Sequence, residues 1–331
     1  MRSSAVIRDG KHSSAVPLPV RVLPLWCVLP LLCVLLFSGC SLLPGRSLPV
    51  VPDVPPRATV ADVPFYPQDE QQCGPAALAM ALGWSGVAVT PAELSPEVFS
   101  PGRDGSLQSS LVGAARRHGR VAYPIAGSEV LLKEVAAGHP VIVLVNRSFG
   151  WAPLWHYAVV TGYDRDAGVV LLHSGTTRDT DLAERVFLNT WRRSDSWGLL
   201  VMPPDRLPAT ADRTAWLEAV TGLERAAQWP AAASGYMTAL EAWGADFTAQ
   251  MGLGYARYRQ RQLAEAAEAF QEATRLDPAN GMGFNNLAHV LAEAGCVQDA
   301  RAAARQAVEL GGPQLETFQQ TLQEIEAMAA P

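Results

Sequence analysis

The sequence predicts an α+β domain followed by an all-helical repeat domain. Helix-forming segments come first, at residues 73–83, 91–98, 106–117 and 128–138. Apolar β-branched runs then follow at residues 140–146, 156–163, 169–173 and 197–202, with one more helix at residues 182–193. Helices that precede a group of strands favour an α+β arrangement with an antiparallel sheet. Beyond residue 214 the chain becomes rich in alanine and repeats every 34 residues, which is typical of stacked helical hairpins.

Length and charge limit the classes of protein that fit this chain. Its 331 residues exceed one ordinary hydrophobic core, so two folded domains with extensions are expected. The net charge is −6, and no cluster of Lys and Arg is present in the body of the chain. We therefore expect no nucleic-acid partner.

The N-terminus is predicted to be a processed leader. Residues 1–21 are basic and polar, and residues 22–37 form an apolar run that contains two prolines and is short for a membrane span. The following Leu-Phe-Ser-Gly-Cys, ending at Cys40, resembles a bacterial lipoprotein signal. That resemblance implies cleavage after residue 39, lipidation of Cys40 and, because Ser41 follows, an outer-membrane lipoprotein facing the periplasm. An uncleaved anchor helix and ordinary secretion are the alternatives.

Cys73 has the sequence context of a reactive cysteine. It ends a polar run and precedes an Ala/Leu/Met helix whose first turn contains Pro75, so its sulfur is expected at a helix N-terminus. Unpaired N–H groups and the helix dipole favour a thiolate there. The alternative is a buried thiol that acts only as a small hydrophobe. A disulfide with Cys296 is also open, although Cys296 reads as incidental in a turn between helices.

His156 is the candidate base. It opens a predicted strand after a loop rich in tryptophan and proline, where its ring is expected at a sheet rim facing a helix N-terminus. From there it could take the Cys73 proton and return it to a leaving amine. A histidine considered alone would more often be structural.

Two sequence motifs, one around Cys73 and one from His156, together resemble those of a known family. Gln-x4-Cys-Gly-Pro-Ala-Ala-Leu, from Gln68, and His-Tyr-Ala-Val-Val-Thr-Gly-Tyr, from His156, resemble papain-like cysteine peptidases related to bacteriocin-processing (double-glycine leader) peptidases. The resemblance covers residues 61–204. It implies Cys73 as nucleophile, His156 as general base and acid, and Gln68 as a donor in the oxyanion hole. Gln71 and Gln72 compete with Gln68 for that role, and a solvated loop residue is the alternative.

The third catalytic position departs from the family pattern. The family usually has Asp or Asn on the strand after the histidine, and counting along the hairpin places Ser174 there. Serine hydrogen-bonds an imidazole N–H but supplies no charge. Asp164 lies in the turn and is expected to point away, whereas Asp179 could enter from the next loop. A Cys–His dyad, a weak Cys–His–Ser triad and a site without strong activity all remain open.

The C-terminal repeat resembles the tetratricopeptide (TPR) pattern. Small and aromatic residues recur at the 34-residue step in three units over residues 214–312, as in Ala232, Ala266 and Ala300. Residues 314–329 then read as a capping helix. TPR grooves often bind peptides or proteins, so recruitment of a partner is expected. The alternative is a packing module that only stabilises the first domain.

These observations divide the chain into five parts. They are a lipoprotein signal peptide at 1–39, a Pro-rich tether at 40–60, a papain-like peptidase domain at 61–204, a linker at 205–213 and the TPR domain with its capping helix at 214–331. The predicted function is hydrolysis of peptide bonds by an envelope-anchored cysteine peptidase, without metal or cofactor. The alternatives are a non-catalytic TPR scaffold lipoprotein whose first domain only binds peptides, and a transferase or isopeptidase with the same thiol chemistry.

Overall fold

The computed structural model describes residues 47–67, 72–100, 102 and 105–328. The predicted signal peptide, Cys40 and the two glutamines Gln68 and Gln71 therefore lie outside the described residues. Among the described residues, no helix is both long and apolar enough to cross a bilayer.

A seven-stranded antiparallel sheet forms the centre of the first domain. The strands of this sheet are β1 (Arg57–Thr59), β4 (Val121–Ala126), β5 (Val141–Asn146), β6 (Trp155–Asp164), β7 (Val169–Ser174), β8 (Thr177–Ala183) and β9 (Trp197–Met202). The short strands β2 (Phe99–Ser100) and β3 (Gly105–Ser106) pair with each other in a separate two-stranded sheet. In the seven-stranded sheet the order is β4-β9-β5-β6-β7-β8, and β1 pairs with the C-terminal end of β6. The long β6 is thus central, because it pairs with β5, β7 and β1.

The helices of this domain are α1 (Cys73–Trp84), α2 (Pro91–Val98), α3 (Gln108–Arg117), α4 (Ser128–Ala136) and α5 (Glu184–Trp191). Helix α1 has no charged residue, and ten of its twelve residues are buried. A helix that is apolar on every side belongs in a core, and α1 packs against β6. The predicted α+β arrangement is confirmed.

The expected tether at residues 40–60 is wrong for residues 47–60. Leu48 and Val51 are buried, and β1 extends the sheet beside β6. Tyr163 donates a hydrogen bond from its hydroxyl to the Pro55 carbonyl at 3.0 Å, and the Arg165 guanidinium donates to the carbonyls of residues 49 and 54. This segment, residues 47–60, is hereafter called the N-terminal strap.

The described C-terminal residues form seven helices: α6 (Arg213–Arg225), α7 (Trp229–Trp243), α8 (Phe247–Arg259), α9 (Leu263–Leu276), α10 (Gly281–Glu293), α11 (Val297–Leu310) and α12 (Leu315–Met328). They form three consecutive helical hairpins and a final helix. Small residues permit the close approach of paired helices. A Cβ at Gly235 would lie 2.7 Å from Val220, and one at Gly254 would lie 2.7 Å from Phe270. The predicted all-helical repeat domain is confirmed.

The first repeat shares its hydrophobic core with the first domain. Trp216 is fully buried and lies 6.5 Å from Tyr123 of β4, measured between ring centroids. The Tyr123 hydroxyl accepts a hydrogen bond from the Asp212 N–H at 3.1 Å. The segment predicted as a linker, residues 205–213, is therefore fixed to the first domain.

Candidate active site

Cys73 is the first residue of α1, and its buried side chain reaches a cleft of about 1200 Å³. No side chain caps this helix N-terminus, and the N–H groups of Cys73 and Gly74 precede the backbone bond from Ala76 N–H to the Gln72 carbonyl. Glycine is needed at position 74 because a Cβ there would lie 2.4 Å from Ser106 Oγ. The helix thus begins tightly against β3, with polar N–H groups beside the sulfur.

His156 lies one residue into β6 and is held by Ser174 at the end of β7. The Nε2 atom of His156 lies 2.9 Å from Ser174 Oγ, which leaves Nδ1 as the second ring nitrogen available for proton transfer. The next residue, Tyr157, directs its backbone N–H to the Cys73 sulfur. Strand β6 therefore brings the His156 position and the N-terminus of α1 to the same end of the sheet.

The two aspartates considered as alternatives to Ser174 have other partners. Asp164 Oδ1 accepts the backbone N–H groups of residues 166 and 167, both at 3.0 Å, and so closes the β6–β7 turn. Asp179 Oδ1 lies 3.0 Å from Nε2 of the buried His173, not at His156. The expectation that Asp164 points away is confirmed. Asp179 orients His173, whose ring meets Phe65 edge-on at 5.3 Å.

The protein environment keeps both candidate groups neutral at rest. Burial raises the pKa of the Cys73 thiol, although backbone N–H groups of Tyr157, Gly74 and Cys73 itself, and the charge of Arg147, act in the opposite direction. Burial, with a smaller contribution from Arg147, lowers the pKa of His156 to about 4. The expectation that the helix start favours a resting thiolate is therefore wrong, because loss of water outweighs the N–H groups.

Arg147 is a nearby group that the sequence did not single out. It follows β5 and opens the loop that leads to His156, and its positive charge acts on both Cys73 and His156. A positive charge at this place opposes an imidazolium and favours a thiolate. Arg147 comes close to Cys73 and His156 only through the register of β5 and β6, so no local sequence motif predicts its position.

A rim loop, residues 147–155, borders the cleft and is held at its base by a buried side chain. Asn146 is 1% exposed, and its Oδ1 accepts the N–H groups of Ser148 and Leu154, both at 3.0 Å. The Arg193 guanidinium donates to the carbonyls of Asn146 and Ser148. Neither Asn146 nor Arg193 carries a recognisable local signature in the sequence.

Gln72 is the only one of the three candidate oxyanion glutamines within the described residues. It is the N-cap of α1, and its carbonyl accepts the Ala76 N–H at 3.0 Å. The role that the resemblance implies for Gln68 stays a prediction. Within the described part of the chain, no three His, Cys, Asp or Glu side chains lie close enough to hold a metal ion.

Two family matches cover different parts of the chain. Residues 60–197 match the peptidase C39-like family, and residues 247–280 match the tetratricopeptide repeat. The chain carries a C39-like peptidase domain followed by TPR repeats. The C39-like match includes Cys73, His156 and Ser174. No curated protein matches the chain.

Solved structures similar to the C39-like domain include a Bacillus anthracis protein described as a C39-like peptidase. It has 20% identity and a TM-score of 0.38, and the match covers 44% of this chain and 97% of that one. The peptidase domain of Streptococcus ComA, a bifunctional ABC transporter involved in quorum sensing, has 23% identity and a TM-score of 0.36 over 43% and 99% of the two chains. The Yersinia enterocolitica type III secretion chaperone SycD, in complex with a peptide of the translocator YopD, matches with 16% identity and a TM-score of 0.34 over 36% and 98%.

Cys73 and Cys296 are both free thiols, the first buried and the second exposed. The disulfide that the sequence left open is therefore not formed. Cys296 lies at the N-cap of α11, in the turn between helices where the sequence placed it. It serves below as a matched control for Cys73.

Proposed function

We propose that this protein is a cysteine peptidase in which Cys73 attacks the carbonyl carbon of a peptide bond. The observation that carries the proposal is that β6 holds both the oriented base His156 and, at the next residue, the backbone group that contacts Cys73. His156 is held through Nε2 by Ser174, and the backbone of the next residue contacts the Cys73 sulfur. A nucleophile next to a base that is oriented by a third group is the arrangement that acyl transfer requires.

The neutral resting pair sets the order of proton transfers. As the Cys73 sulfur bonds to the carbonyl carbon, its proton passes to Nδ1 of His156, while Nε2–H donates to Ser174. The imidazolium then protonates the leaving amine as the C–N bond breaks, which leaves a thioester on Cys73. Water, deprotonated by His156, attacks the thioester and regenerates the thiol. Both chemical steps place negative charge on the former carbonyl oxygen.

The N-terminus of α1 is the proposed site for that negative charge. The N–H groups of Cys73 and Gly74 have no carbonyl partner in the helix and are directed at the Cys73 sulfur, and the positive end of the helix dipole lies beside them. Uncapped N–H groups directed at a developing oxyanion typically contribute a factor of about 10²–10³ in rate. The side chain of Gln68 is the second proposed donor, on the family resemblance alone.

The cellular setting belongs to the same proposal. We propose that Cys40 is lipidated after cleavage of residues 1–39, that the protein faces the periplasm from the outer membrane, and that the TPR groove recruits a protein or peptide. The lipoprotein-like Leu-Phe-Ser-Gly-Cys sequence supports the anchor. The repeat match supports a binding role for the helices.

Cleavage of a peptide mixture by the purified chain tests the catalytic proposal. Cys73→Ala and His156→Ala are expected to abolish cleavage products seen by mass spectrometry, whereas Cys296→Ala should retain them. A peptidyl vinyl sulfone should label Cys73 and should need His156 to do so. Because burial keeps the thiol neutral, general alkylation by a small reagent is a weaker test than a probe bound as a substrate.

The scaffold alternative has one observation in its favour. Ser174 provides no negative charge to stabilise an imidazolium, and the lowered pKa of His156 makes that ion costly to form. If the wild type cleaves nothing and the vinyl sulfone ignores loss of His156, the first domain binds peptides without hydrolysing them. Products joined to an added amine would instead indicate a transferase.

A further inference from the structure

Exposed apolar side chains are concentrated in the rim loop. Phe149 is 64% exposed, Trp151 85%, Leu154 60% and Trp155 47%. Elsewhere in the described residues, large exposed apolar side chains such as Val50, Val186 and Met328 are dispersed along the chain. Single exposed apolar residues are ordinary, whereas a continuous exposed patch indicates a binding surface.

Hydrogen bonds and a ring stack hold the exposed loop in its observed conformation. Besides the bonds that Asn146 Oδ1 accepts, the Arg147 N–H donates to the Leu154 carbonyl at 2.9 Å, and the Ala152 N–H donates to the Phe149 carbonyl at 3.2 Å. The rings of Phe149 and Trp151 stack with centroids 5.9 Å apart and planes 11° apart. A preformed surface binds a ligand without paying to order itself.

The rim loop is continuous with the candidate active site. Pro153, Leu154 and Trp155 line the same cleft as Cys73, and Leu107 and Trp197 contribute further apolar surface. Residues 149–155 contain no charged side chain. A peptide chain that enters the cleft along this side therefore passes the uncharged surface of Pro153, Leu154 and Trp155.

Resting on the proposed peptidase function, we propose that residues 149–155 form the subsite for a bulky apolar side chain of the substrate, close to the bond that Cys73 attacks. Burial of a leucine or phenylalanine side chain against these residues removes apolar surface from water on both partners. A charged side chain placed there would lose solvation, and residues 149–155 hold no charged side chain to offset that loss. The preferred substrates are thus peptides with a large apolar residue flanking the cleavage point.

Internally quenched octapeptides, varied one position at a time among Leu, Phe, Ser, Asp and Lys, test this subsite. At one position next to the cleaved bond, we expect kcat/KM for Leu or Phe to exceed that for Asp by about tenfold or more. The Trp151→Ser and Leu154→Ser variants should reduce this ratio to about threefold or less. Val186→Ser, which removes an exposed apolar side chain from α5, is the matched control and should keep the full ratio.

The outcomes separate this inference from the proposed function. Cleavage with no apolar preference, or with a preference that the rim variants leave intact, overturns the subsite and leaves the peptidase in place. If no peptide is cleaved, the peptidase proposal fails, and fluorescence anisotropy with the same peptides still tests the surface. In that case the Leu peptide should bind more tightly than the Asp peptide, and Trp151→Ser should remove the difference.

A membrane contact is the competing use of exposed aromatic rings. Vesicles of phosphatidylethanolamine and phosphatidylglycerol, mixed with a Cys40→Ser chain that lacks the proposed acylation site, measure it directly. Loss of vesicle binding in Trp151→Ser, without any change in peptide preference, would overturn the substrate subsite. The substrate subsite is supported if the Cys40→Ser chain does not bind vesicles and Trp151→Ser loses the peptide preference.

Discussion

The hydrogen bond between His156 and Ser174 is the weakest part of the proposed catalytic site. A hydroxyl fixes the imidazole ring in place but leaves its positive form unstabilised. Burial already lowers the pKa of His156 to about 4, so accepting the thiol proton is costly. A carboxylate at position 174 would stabilise the imidazolium and so lower the free energy of forming it.

Ser174→Asp is therefore expected to raise the pKa of His156 and to increase kcat at pH 7 to 8 by about tenfold, since an adjacent opposite charge moves a pKa by about 1–3 units. As the pH falls, neutral His156 would then be protonated at a higher pH than in the wild type. The acid limb of the kcat/KM profile should therefore shift to higher pH. Ser174→Asn supplies an amide without charge and is the matched control. Identical pH profiles for the two variants would contradict this role for charge at position 174.

Burial of neutral His156 also predicts a pH-dependent stability. Its folded-state pKa of about 4 lies below the ordinary value of 6.5, so the unfolded chain takes up the proton first as pH falls. The stability is complete above pH 6.5 and is lost as pH falls towards 4. Relative to His156→Gln, the wild type should lose about 2 kcal/mol of unfolding free energy between pH 7 and pH 5.

Urea unfolding of both proteins at the two pH values measures this difference. Other titrating groups are common to the two chains, so they cancel in the comparison. A His156→Gln variant with the same pH dependence as the wild type would show that the imidazole stays hydrated.

The residues of the candidate site were largely predictable, and their electrostatics were not. Counting along the β6–β7 hairpin placed Ser174 correctly because strand register follows from the turn. The ionisation of Cys73 was mispredicted because the sequence shows the helix start but not the depth of burial around it. Arg147 and Arg193 were missed because their contacts come from distant strands and a loop.

At the scale of elements, the four strands with ordinary patterns were predicted, and five others were missed, among them the two-residue β2 and β3. The β4 sequence contains Pro124, which is tolerated because β4 is an edge strand. The other edge strand, β8, is polar and largely exposed, so it lacks a hydrophobic pattern. The three-residue β1 forms only because β6 extends beyond β5 and offers an unpaired edge.

The N-terminal strap, which contains β1, tests whether packing on the domain holds this segment in place. Leu48 is 5% exposed, whereas Val50, two residues away, is 86% exposed. Leu48→Ala should lower the free energy of unfolding by about 2–4 kcal/mol through loss of buried surface and a residual cavity. Val50→Ala should change it by less than about 0.5 kcal/mol. If urea unfolding gives both variants the wild-type free energy of unfolding, the strap does not pack on the domain in solution.

For the whole molecule, the C39-like domain and the first repeat are expected to behave as one cooperative body. Trp216, Val220 and Leu223 of α6 are fully buried in the core that also contains α1 and the sheet. The repeats are consequently held at a fixed position relative to the candidate active site. Recruitment through the TPR groove would then present a partner to one side of the domain.

A buried carboxylate joins the two parts. Glu134 of α4 is fully buried, and its oxygens lie 2.7 Å from His139 Nδ1 and accept the N–H groups of Ala209 and Thr210 at 3.1 and 2.7 Å. Burial alone would raise the pKa of Glu134, but the bonds from His139 and Thr210 lower it below its ordinary value. The group is therefore ionised at neutral pH.

Glu134→Ala should cost about 3–5 kcal/mol of unfolding free energy, because it leaves several buried donors without an acceptor. Glu129→Ala is the matched control on the same helix. Its carboxylate is 61% exposed and pairs with Lys133 one turn away, so its loss should cost less than about 0.5 kcal/mol. Hydrogen exchange should show faster exchange in α6 as well as in α4 when Glu134 is replaced. Unchanged protection of α6 would mean that the repeats and the C39-like domain open independently, and a fixed position for the TPR groove would no longer follow.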